Sequence, residues 1–203
     1  MDKSQVWLSL LAEKYNMQMN NYGQGGSTVS NYAPNAPMCD RYKDMFATKA
    51  DIVLIEGGAN DIACHTPVGE VDSSDTATFS GALNVMIDGI QERFPNAMIV
   101  CITMWNIYDG FYDNGTINYM EYANAMEDVA ERQGVYFIPA YDTSITGVNM
   151  CNPAFRSKYC MSLNDAHHLN EEGMKLVMPY FEKILAQYYQ DFLGGECQSD
   201  QIT

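Results

Sequence analysis

Apolar and polar positions along the chain switch between a helical and a strand period, and the order of the switches predicts an α/β fold. Ser4 to Tyr15 places Val6, Leu8, Leu10 and Leu11 on a helical pattern, with Ser4 as N-cap. Met17 to Tyr22 reads as a short strand, broken by Gly23, Gly25 and Gly26. Asp40 to Lys49 reads as a helix, and Asp51 to Glu56 as a buried strand ending at Gly57 and Gly58. Ala77 to Phe94 is an amphipathic helix that stops before Pro95, and Ala97 to Thr103 is the next strand. Ile117 to Gln133 is a helix stopped by Gly134, followed by a strand from Val135 to Pro139. Asn170 to Phe192 is a final helix with Pro179 as a kink point. The strands are continuous apolar runs, which is the signature of a parallel sheet covered on both faces. This predicts a single domain over residues 1–193 and a loose polar tail over 194–203.

Composition supports a packed core. Of 203 residues, 47% are apolar and 18% charged, too apolar a mix for a disordered chain. With 26 acidic against 11 basic side chains, the net charge of -15 repels phosphate backbones and anionic headgroups. Nucleic acid is therefore not an expected partner. No run reaches the roughly 18 apolar residues of a membrane span, and no signal-peptide pattern opens the chain. As given the chain reads as cytoplasmic, and as secreted if a further N-terminal segment precedes it. Cysteines stand at 39, 64, 101, 151, 160 and 197 without a zinc-like spacing. Cys151 and Cys160 flank a Pro-containing loop and would suit a disulfide in an exported protein.

Ligands of a parallel α/β sheet sit outside the carboxyl ends of its strands. Three polar clusters fall at such places: Asn21 to Thr28, Glu56 to Asp61, and Asn164 to Asn170. In the last, Asp165 and His168 are three residues apart, so the carboxylate can fix one ring nitrogen and leave the other as a general base. The alternatives are that Asp165 caps the following helix, or that His167 is the base. Asn60 follows a strand and two glycines, where its amide can face a developing oxyanion. Gly26 can offer a backbone N–H to the same charge. Trp105, Asn106, Tyr108, Phe111 and Tyr112 form an aromatic, polar loop after a strand, placed either to line a substrate cleft or simply to pack a long loop.

Taken in order, these clusters resemble the sequence blocks of the SGNH (GDSL-like) hydrolases. Asn21-Tyr-Gly-Gln-Gly-Gly-Ser-Thr28 is similar to the second block, Gly57-Gly-Ala-Asn60-Asp61 to the third, and Asp165-Ala-His-His168-Leu-Asn170 to the last, with Leu169 in place of proline. The resemblance implies a flavodoxin-like, three-layer α/β/α fold with a parallel sheet. It implies serine ester hydrolysis of an acyl ester or O-acetyl carbohydrate, without metal or organic cofactor. His168 would be the base, Asp165 its orienting acid, and Gly26 and Asn60 oxyanion donors.

One departure stands out. The family's first block, Gly-Asp-Ser, carries the nucleophile at the end of the central strand, and no such tripeptide occurs in this sequence. Asp2-Lys-Ser4 is only an echo of it, and Ser27 and Ser30 belong to the second block. The expectation is a truncated chain, with an inactive relative that binds a ligand or carbohydrate as the alternative. The central strand would then be missing, leaving a gapped sheet, a rearranged one, or a slot filled by another copy in a homo-oligomer.

Overall fold

The structure, a computed structural model, describes residues 6–107, 119–165 and 167–199. It groups into two compact units, one of Asn20–Tyr141 and one of Met1–Met19 with Asp142–Thr203. Ser4, Tyr108, Phe111, Tyr112 and Ile117 lie outside the described residues.

The first unit holds a three-stranded parallel sheet, β1 (Ile52–Glu56), β2 (Met98–Ile102) and β3 (Tyr136–Ile138), in that order. Its helices are α2 (Met38–Arg41), α3 (Ala59–Ala63), α4 (Phe79–Arg93) and α5 (Tyr119–Gln133). Thr78 caps α4 by accepting from Gly81 N–H. The register aligns Ile55, Cys101 and Phe137 in one row across the sheet. That row shares a core with Phe79, Leu83, Met86 and Ile87 of α4 and Met126 and Val129 of α5. On the opposite face of β2, Met98, Val100 and Ile102 are also fully buried. A strand buried on both faces can only be apolar throughout, which is why its sequence shows no alternation.

The expected helix over residues 40–49 is one turn of α2, a 3₁₀ turn over Tyr42–Asp44, and then irregular chain. The expected strand from Met17 to Tyr22 does not form. Among the described residues β1 has one strand partner, β2. An extended segment gains its stability from a ladder with a neighbour, and residues 17–22 have none.

The second unit is helical: α1 (Trp7–Lys14), α6 (Thr143–Thr146), α7 (Pro153–Tyr159) and α8 (Glu171–Ser199). Trp7 stacks on Phe181 with ring centroids 4.1 Å apart, which fixes α1 against α8. Lys14 pairs with Glu182 at 2.7 Å on the exposed side of the same contact, where such pairs contribute little. α1 starts at Trp7 rather than at the expected Ser4, with Val6 at the cap position. α7 is a helix where a loop was expected, because Asn152 accepts from Ala154 N–H and Pro153 fits the first turn. Cys160 is not joined to Cys151: it is a buried thiol with its Sγ 3.4 Å from Met150 Sδ. α8 runs on through Ser199, so most of the tail expected to be loose continues the helix.

Candidate functional site

In the helical unit the site is a loop between α7 and α8. His168 Nδ1 lies 3.2 and 3.1 Å from the two carboxylate oxygens of Asp165. Asp165 Oδ1 also accepts from the backbone N–H groups of His167 and His168, each at 2.9 Å. The three-residue spacing therefore closes a turn around the carboxylate and brings the imidazole of His168 onto it. Partial burial works to raise the pKa of Asp165, but the backbone donors of His168 and His167 and the neighbouring imidazole outweigh it and hold the acid below its ordinary value. A carboxylate bound at Nδ1 leaves Nε2 as the acceptor of a proton. The His168 side chain is 75% exposed.

The helix cap is not Asp165. Asn170 fills that place, its Oδ1 accepting from Gly173 N–H at 3.0 Å. Its Nδ2 donates to the carbonyls of Lys158 and Cys160 at 2.9 and 3.0 Å. A bridge between Cys160 and Leu169 continues this seam, with Met161 N–H donating to His168 O at 2.9 Å. Leu169, where the block pattern has proline, is fully buried. Asn170 thus ties the loop of His168 to the end of α7, a role that the motif contained but the sequence reading left unassigned.

His167 differs from its neighbour in burial. That burial, with the adjacent His168 acting in the same direction against Asp165, drives its pKa down to about 4. In the unfolded chain a histidine takes its proton near pH 6.5, so acidification toward pH 4 protonates the unfolded state first and erodes stability. The expected loss is about 2 kcal/mol across that window, allowing for the part of the ring that water reaches. Melting temperatures at pH 7 and pH 5 check it: His167→Gln should show the smaller drop, and equal drops in the two proteins would refute it.

In the sheet unit, the turn after β1 carries Asn60. A Cβ on Gly58, whose φ is +109°, would sit 2.7 Å from Met104 Cε and 3.3 Å from Phe79 Cζ, so glycine alone fits the turn. Asn60 stands in α3 and donates from Nδ2 to Ser27 O at 2.9 Å. One of its two amide hydrogens is thereby held. Gly26, exposed and with φ of +80°, precedes Ser27 in a turn closed by Ser27 N–H to Gln24 O at 3.2 Å. Asn60 and the Gly26 loop are therefore adjacent. Arg41 braces this loop from Nε to Ala36 O at 2.8 Å, and from its two terminal nitrogens to Tyr22 O at 3.1 Å and Ser27 Oγ at 2.7 Å. Ser27 Oγ donates in turn to Ala36 O. Ser30 Oγ is buried and paired with Thr66 Oγ1 at 3.2 Å.

Asp61 was also left without a role. It is fully buried, and its carboxylate accepts from Val29 N–H at 2.7 Å and Ser30 N–H at 3.0 Å. Its only signal in the sequence is an acid directly after Asn60 in a strand-turn-helix context. Trp105 is buried and Asn106 half-buried, just beyond β2. Among the described residues no group of three His, Cys, Asp or Glu side chains is placed to hold a metal. No described helix is long and apolar enough to cross a membrane.

The profile of the GDSL-like Lipase/Acylhydrolase family matches residues 2–176. The chain belongs to this family. It is a hydrolase by that membership, with the α/β, flavodoxin-like fold expected from the sequence. No curated protein matches the chain. A solved protein from Lactobacillus plantarum is similar at a TM-score of 0.79 and 24% identity, over 90% of this chain and 88% of that one. A member of the lipolytic G-D-S-L family from Veillonella parvula aligns at a TM-score of 0.63 and 15% identity, over 92% and 90%. A carbohydrate esterase family 2 enzyme with a carbohydrate-binding domain, from Corynascus thermopiles (Myceliophthora fergusii), aligns at 0.60 and 17%, over 95% and 58%. At these identities the likeness is one of fold.

Proposed function

We propose that this GDSL-family chain carries the base and oxyanion machinery for hydrolysis of an acyl ester, including O-acetyl groups on carbohydrate. The observation that supports it most is the Asp165–His168 pair, with both carboxylate oxygens within 3.2 Å of Nδ1. In this reading a serine hydroxyl, which neither Ser27 nor Ser30 supplies, attacks the acyl carbonyl while His168 takes its proton and returns it to the leaving alcohol; water activated by the same base then releases the acid from the acyl-serine. Asp165 fixes the tautomer and stabilises the imidazolium. Gly26 N–H and the second Asn60 N–H receive the oxyanion of the tetrahedral intermediate. Trp105 and Asn106 would contact the acyl or alcohol part. No metal or organic cofactor takes part in these steps.

A second reading is a domain of the same fold that binds a ligand or carbohydrate without turnover. It is favoured by the absence of Gly-Asp-Ser from the sequence and by the engaged hydroxyls of Ser27 and Ser30. Release of p-nitrophenol from p-nitrophenyl acetate, measured beside calorimetric titration with an acetylated xylo-oligosaccharide, separates the two. Turnover above the rate of free imidazole supports the hydrolase. Binding without turnover supports the second reading, and neither signal overturns both.

A further inference from the structure

Asp61 is a buried carboxylate that the steps above do not use. Burying a charge is costly unless it is well hydrogen-bonded, and here two backbone N–H groups serve it, those of Val29 and Ser30. The titratable groups facing it are Tyr122, from α5, and Cys39, from α2, beside the hydroxyls of Ser30 and Thr66. Val29 and Ser30 lie three and four positions after Gly26, on the same loop. Asn60, one position before Asp61, holds the same loop at Ser27 O. The dipeptide Asn60-Asp61 thus grips the segment that carries Gly26 at three points, and Asn60 is the oxyanion donor of the hydrolase reading. A donor pair works in catalysis only if its separation is held to within about 0.5 Å.

We propose that Asp61 is a positioning residue: through Val29 and Ser30 it holds the Gly26 N–H and the Asn60 amide at a fixed separation for the oxyanion. Its catalytic consequence rests on the hydrolase reading, while its structural half stands alone.

The test titrates the amide resonances of Gly26, Val29 and Ser30 in the intact chain between pH 3 and 8. All three are expected to move with one midpoint, above the ordinary carboxylate range, because burial raises the pKa of Asp61. Tyr122, pushed up to about 12, and Cys39, up to about 11, do not titrate in this window. In Asp61→Asn the kcat for p-nitrophenyl acetate should fall roughly tenfold to a hundredfold, with KM within about twofold, since the oxyanion forms only in the transition state. Movement of Val29 and Ser30 without Gly26, or a folded Asp61→Asn with the native kcat, overturns the proposal. If the variant does not fold, the titration of the native chain decides alone. If the native chain hydrolyses nothing, the hydrolase reading fails, and the Gly26 resonance still decides whether Asp61 sets that loop.

Discussion

Replacing His168 with alanine is expected to lower ester hydrolysis by about 10³-fold, in the middle of the range for losing a positioned general base. The melting temperature should hold. The ring is largely exposed, so its removal opens no cavity, and Asp165 keeps the backbone N–H groups of residues 167 and 168. Asp165→Asn is expected to cost activity through the same ring, since an amide no longer stabilises the imidazolium or selects its tautomer. The two losses should not add, because both act on one imidazole. Steady-state rates for the single and double variants check this. A folded His168→Ala with undiminished turnover would remove the base from the mechanism.

The largest expected effect on stability is that of Phe79→Ala, about 3–5 kcal/mol. The ring is fully buried, and it meets Tyr122 edge-on with centroids 5.4 Å apart. It also lies against the Gly58 turn. Its removal therefore costs transfer energy, an aromatic pair and a cavity beneath the segment that carries Asn60. Urea denaturation measures the loss. A loss under about 1.5 kcal/mol would mean that neighbouring side chains collapse into the space, contrary to the close packing here.

What could be read from the sequence depended on whether the cause was local. The run at 98–102 declared itself as a buried strand because a strand covered on both faces must be apolar at every position; the run at 52–56 also forms a strand, but it is half-buried rather than buried, with Ile55 alone fully covered and Glu56 exposed. The helix from Phe79 was legible, to within two residues of its start, because its apolar stripe is encoded within the segment itself. Residues 17–22 misled for the opposite reason: their strand propensity is real, but a ladder is a property of two segments. α7 was missed because its seven residues are held by a cap and a proline more than by periodicity.

The candidate site divides the same way. Asp165 and His168 were legible as a pair because three residues of loop suffice to bring their side chains together. The tie between Asn60 and Ser27 was not, being a contact across 33 residues. Nor was the carboxylate of Asp61 on Val29 and Ser30, since a buried acid and a surface acid are the same letter in a sequence.

The amino-acid order by itself determined the α/β class, the strands of the sheet and the short-range geometry of the imidazole and its acid. Those features follow from periodicity, glycine conformation and hydrogen bonds between near neighbours. Tertiary structure alone decided which loop the Asn60 amide holds, that Asp61 is buried with backbone donors, and that His167 is half-buried while His168 is exposed. Each of these depends on desolvation and on contacts between distant segments, and burial has no local signature from which to be read.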